Sequence, residues 1–89
     1  MTAGVPSQDL VVARLATLLE DVTRGRCGPA ASLAADTPLR DLDLDSATLL
    51  AFLVAVEEHF GIEWDDEVPE DALARLDSIA AYVRAAIRA

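Results

Sequence analysis

One cysteine and one histidine are all the soft metal ligands in 89 residues, and that shortage removes two kinds of stabilisation at once. Cys27 has no second thiol with which to close an internal disulfide, and one Cys with one His cannot furnish the four ligands of a structural zinc. No metal site is expected, and the core must hold itself together. Basic residues are also scarce: seven Arg, with no Lys, stand against sixteen Asp and Glu, for a net charge of −9. Phosphate backbones are bound through cations that displace counterions, so nucleic acid is an unfit partner and basic surfaces are fitter ones. With apolar residues at 53% and only four Gly and four Pro, the chain is too hydrophobic for a disordered tail. It nonetheless lacks the roughly 18 consecutive apolar residues of a membrane span. The first residues, MTAGVPSQ, have neither the basic start nor the apolar run of a secretory signal, so a cytoplasmic location is expected and no membrane association. A chain below roughly 100 residues has little interior in which to desolvate a catalytic centre, which argues against an enzyme.

What is there reads as helices. Ser7 or Asp9 can cap a first helix reaching to about Thr23, because Leu10, Val11, Leu15, Leu18, Leu19 and Val22 recur at three- and four-residue spacing. Gly25, Gly28 and Pro29 oppose its continuation, and Arg24 and Arg26 suit a helix C-terminus. From there to Asp45 no long periodic stretch occurs, although Ala30 to Ala35 can form a helical turn. Leu33, Leu39, Leu42 and Leu44 give this segment apolar pegs, and a loop of that length inside a compact domain tends to be functional. A second helix is expected from Asp45-Ser46 to about Phe60, closed by Gly61 in a left-handed conformation. Its core face is read as Leu49, Leu50, Leu53, Val56 and Phe60, with Thr48, Ala51 and Ala55 opposite and Phe52 and Val54 flanking them. Ile62 and Trp64 form an extended connector, and the acids from Glu63 to Asp71 read as a solvated face. A short helix covers Glu70 to Leu76, and Asp77 caps a last helix whose buried stripe is Ile79, Val83, Ala86 and Ile87, with Tyr82 flanking. The expected fold is all-α: a four-helix bundle of three longer helices and one short one, with a long loop between helices 1 and 2. It is read as one domain over 1–89, with 1–7 a flexible N-terminus.

The segment that needs a functional account is DTPLRDLDLDSA at 36–47. Alternation turns Leu42 and Leu44 inward and Asp41, Asp43 and Asp45 toward water, and it leaves Ser46 at the start of an apolar helix. A phosphate ester on that serine would meet the unpaired N–H groups and positive dipole end of the helix. Either Ser46 is the N-cap, the usual job of a serine there, or Asp45 is the cap and the Ser46 hydroxyl is free.

This string resembles the loop ending LGLDSL of the acyl carrier protein family, which includes the peptidyl carrier proteins. EEHFGIE at 57–63 resembles that family's helix-two ending, and Asp77, Ser78 and Ile79 with Tyr82 and Val83 resemble its last helix. The likeness runs from about Asp36 to Ile87 and more loosely over the first helix. It implies an acyl-carrier-like fold in which Ser46 carries 4'-phosphopantetheine, loaded from coenzyme A by a phosphopantetheinyl transferase. The arm would hold acyl or aminoacyl groups as thioesters. A loading ligase and synthase or tailoring enzymes are the further partners implied, and Asp45 becomes a contact for the loading enzyme.

Two positions depart from the family: Asp43 stands where Gly is usual, and Ala47 where Leu is usual. Asp tolerates the left-handed conformation at modest cost, whereas Ala47 removes apolar area beside the arm. No charge lies between Ser46 and Val56. A helix apolar around most of its circumference is either buried or meets something, and a domain this small cannot bury every side. Partner recognition is therefore assigned to Asp43, Asp45, Ala47, Ala51, Val54 and Ala55, with Glu57 and Glu58 steering basic surfaces. The expected protein is a free-standing, monomeric acyl carrier protein of polyketide or non-ribosomal peptide biosynthesis that is not itself an enzyme. A type II peptidyl carrier protein, or an unmodified helical adaptor with a carrier fold, is the alternative, and a homodimer through helix two is the alternative to partner docking.

Overall fold

A computed structural model describes residues 6–64 and 67–88. They form three α-helices, α1 (Gln8–Thr23), α2 (Ser46–Phe60) and α3 (Leu76–Arg88), joined through 3-10 turns at Ala30–Ser32, Leu39–Leu42 and Glu70–Leu73. The fold is the all-helical, acyl-carrier-like arrangement expected. Its short fourth helix is reduced to the last of those 3-10 turns. No helix among the described residues is long and apolar enough to cross a membrane.

The ends of the helices follow from local chemistry. Ser7 caps α1 by accepting from the Leu10 N–H at 3.2 Å, and Gly61 closes α2 at φ 68°. Arg24, rather than a glycine, takes the left-handed position after α1, at φ 55°. Of the expected flexible N-terminus 1–7, residues 1–5 lie outside the described residues. Pro6 and Ser7 are tied down, since the Pro6 carbonyl accepts from Arg84 Nε at 2.9 Å. Asp77 does not cap α3: the helix begins one residue before it, and its carboxylate pairs with Arg75 Nε at 3.0 Å instead. The exposed first turn is closed by Ser78, whose hydroxyl accepts from the Arg75 N–H at 3.0 Å in the manner of half a capping box.

The core is made by Val11, Leu15, Ala16 and Leu19 of α1, Phe52 and Val56 of α2, and Leu76, Ile79, Ala80 and Val83 of α3, with Leu39 from the long connection. Ala86 and Ile87, expected in the buried stripe of α3, are only half-buried. The larger correction concerns α2. Leu50 was expected inside and is 63% exposed, whereas Phe52, expected beside the outer face, is fully buried. A helix that is apolar around most of its circumference carries little preference for its own rotation. The orientation is then set by which face best fills the space offered by α1 and α3, and the Leu49, Phe52, Leu53, Val56, Phe60 stripe places the largest side chain there.

The long connection is held at both of its neighbours. Glu20 of α1 accepts from the Ala30 N–H at 2.9 Å. Farther along, the Leu39 N–H donates to the Ala74 carbonyl and the Asp77 N–H to the Ala35 carbonyl, both at 2.8 Å, and Pro38 bridges Arg75 in antiparallel fashion. This fastening fixes where α2 begins.

Candidate functional site

The site is built from the last residues of the long connection. After the 3-10 turn at Leu39–Leu42, Asp43 adopts φ 55°, ψ 43°, the left-handed conformation that usually favours glycine. That reversal, which aspartate accepts more readily than most residues, allows Leu42 and Leu44 to be half-buried against the core while Asp41, Asp43 and Asp45 remain exposed. Asp45 is then extended (φ −80°, ψ 170°) and its carboxylate accepts from the Thr48 N–H at 2.7 Å.

Asp45 is therefore the N-cap, and Ser46 is the first residue inside α2. The Ser46 side chain is exposed, and its hydroxyl makes no hydrogen bond among the described residues. Two arrangements were open from the sequence, and the structure adopts the one in which Asp45 is the cap and the Ser46 hydroxyl is not used for capping. The Asp45 carboxyl is held below the usual carboxylate range, first by hydrogen bonding from Thr48 and in lesser part by the nearby Arg26 guanidinium.

The residues expected to meet partners divide into three groups. Ala47 and Ala51 are exposed, and Val54 is 43% exposed with Leu50 beside it. Ala55 is half-buried, and so is Glu57, whose carboxylate accepts from the Trp64 N–H at 3.1 Å, so it also fastens the connector to α2. Glu58 is exposed. Asp65 and Asp66, within the acidic stretch read as a solvated face, lie outside the described residues.

An apolar groove of about 320 Å³ runs along the exposed side of α2. Leu50, Leu53 and Val54 line it from α2, facing Trp64, Val68 and Leu73. Trp64 is clamped in place: its indole N–H donates to the Leu53 carbonyl at 2.9 Å and its ring stacks on Tyr82 with centroids 5.1 Å apart. Ser46, Leu50, Leu53 and Val54, and Glu57 follow one another at helical spacing, so the groove begins one turn from the serine. Trp64 was read from the sequence as part of an extended connector. Its place in the groove wall follows from the Leu53 hydrogen bond, which has no sequence signature. Among the described residues no cluster of three or more His, Cys, Asp or Glu is placed to hold a metal ion.

Compared with protein families, residues 13–86 match the family described as phosphopantetheine attachment site. A comparison with curated proteins found no match.

Proposed function

Since that match spans most of the chain, the protein belongs to the phosphopantetheine attachment family, and we propose that Ser46 is the residue on which it carries the group. Covalent 4'-phosphopantetheine makes such a chain a carrier that works with partner enzymes. When bound, the group supplies a thiol at the end of a flexible arm, the chemistry by which a carrier holds acyl or aminoacyl cargo.

The observation that carries the assignment is the division of labour between Asp45 and Ser46. A serine used as an N-cap would have its oxygen committed to a backbone N–H; here Asp45 takes the Thr48 N–H and the neighbouring hydroxyl is exposed. The residues present fit the group. The start of α2, a helix of 15 residues, offers further N–H groups and the positive dipole end to a phosphate on Ser46. The side chains around it do not close over the oxygen, as a bulky transferase requires.

The chain's own part in function is presentation. Ser46 fixes the root of the arm, and the groove of Leu50, Leu53 and Val54 offers cargo a surface on which to lie between encounters. Tethering replaces a bimolecular encounter by an intramolecular one, which raises effective concentration at each partner. On this reading residues 1–89 form one carrier domain that does no chemistry itself. The stretch of α2 without charge from Ser46 to Val56 and the net charge of −9 suit partners whose docking faces are apolar at the centre and basic at the rim. Those partners are a phosphopantetheinyl transferase, a loading ligase, and synthase or tailoring enzymes of polyketide or non-ribosomal peptide assembly.

Incubation with a phosphopantetheinyl transferase and coenzyme A, followed by intact mass, tests the assignment. The wild type gains one group and Ser46→Ala gains none. Loading of neither protein, or loading of both, overturns it.

A further inference from the structure

Behind the start of α2 lies a cleft of about 230 Å³ that the presentation of Ser46 leaves unexplained. Thr23 at the end of α1, Arg26 and Cys27 in the following turn, Leu42, and Asp45 and Thr48 of the cap line it. The cleft is held open by two fixed contacts. The Cys27 thiol donates to the Leu42 carbonyl at 3.8 Å, and Arg26 Nε donates to the Thr23 carbonyl at 3.0 Å. With Nε so engaged, the two terminal nitrogens of Arg26 make no hydrogen bond or ion pair among the described residues.

The charges here do not balance once Ser46 is modified. Asp43 and Asp45 both border the cleft, and a phosphodiester on the residue next to Asp45 adds a third negative charge. The helix dipole offsets only about half a charge, and Asp45 already occupies the Thr48 N–H. Arg26 is the one cation in the cleft lining; Arg40 and Arg75 border a different cleft, on the side facing the 3-10 turn at Glu70–Leu73. A guanidinium is weakly hydrated and matches phosphate oxygens with paired donors.

We propose that Arg26 is the positioning residue for the phosphodiester of the group on Ser46, its terminal nitrogens pairing with the phosphate across the cap. The inference rests on Ser46 being the attachment residue. Its consequence is directional: the root of the arm is held toward the α1 side of the cap.

The test uses the loaded protein. Wild type, Arg26→Gln and Arg26→Lys are loaded and checked by intact mass, with Ser46→Ala alongside. The phosphorus NMR shift of each is then followed from about 0.02 to 0.5 M salt, a range over which an exposed ion pair is progressively screened. The wild-type signal moves with salt, Arg26→Gln sits at the high-salt position throughout, and Arg26→Lys recovers part of the movement. A second readout is the change in melting temperature on loading, which is more unfavourable in Arg26→Gln than in wild type. A merely structural Arg26 would destabilise unloaded and loaded protein alike and leave the phosphorus signal unmoved. Equal shifts and salt profiles in wild type and Arg26→Gln overturn the inference while leaving Ser46 intact. Should Arg26→Gln resist loading, a flat wild-type profile overturns it and a salt-dependent one restored by Arg26→Lys supports it. Failure of wild type to load, or loading of Ser46→Ala, overturns both proposals.

Discussion

α3 and α2 solve opposite problems with similar lengths of chain. In α3 the apolar residues fall on one side, and Leu76, Ile79, Ala80 and Val83 are buried. In α2 there is no charge from Ser46 to Val56, yet only Phe52 and Val56 are fully buried, and Leu50 and Val54 stand in water. Folding accounts for the hydrophobicity of α3 and for only part of that of α2. Exposed apolar area that does not stabilise the fold is the surface that the proposed docking would use, and the surplus begins one turn from Ser46.

The sharpest way to break this contrast is to truncate one side chain from each face of α2. Phe52→Ala should cost about 3–5 kcal/mol, because its cavity lies in the middle of the core. Leu50→Ala should stay within about 0.5 kcal/mol. Urea unfolding measures both, and equal losses would show that α2 has no spare face. Next in size is function. Leu50→Glu and Val54→Glu should leave the fold intact yet slow transfer to an apolar-faced partner by roughly tenfold, the worth of about 1.4 kcal/mol of docking. Unchanged transfer kinetics for both would show that this face takes no part in docking.

A smaller effect concerns Asp45. Its carboxyl titrates below the ordinary aspartate value of about 3.9 because Thr48 favours the charged form. A depressed folded value contributes stability above the unfolded pKa, and that contribution is lost as pH falls through the folded one. Asp45→Asn keeps a capping oxygen without the charge, so it should lose less of its melting temperature than wild type on acidification below about pH 4. Parallel acid profiles for the two would remove the charge from the capping argument.

How much of this was legible in the sequence differs by element. α1 was readable because its periodicity is unambiguous, and the ends of α2 because Asp45 and Gly61 are local signals. The rotation of α2 was not, since Leu50 and Phe52 are equally apolar in a helix without a polar face; the size of Phe52 was the signal that would have chosen the register. The start of α3 was missed by two residues because Asp77 is the stronger local cap signal, whereas the helix begins at Leu76, whose side chain is buried in the core. Asp43 was recognised as a position needing left-handed backbone, and it adopts that conformation. Arg26 was read only as a residue suited to the end of α1. Its place in the cleft with Asp45 and Thr48 depends on how the long connection folds back, which backbone bonds decide and side-chain identity does not.

Those backbone bonds carry a last consequence. Because the Leu39 N–H and the Ala35 carbonyl are anchored on Ala74 and Asp77, the perch of Ser46 borrows its steadiness from the approach to α3, far along the chain. Any enzyme that gripped or pried at that approach would be pulling on a lever whose other arm ends at the serine.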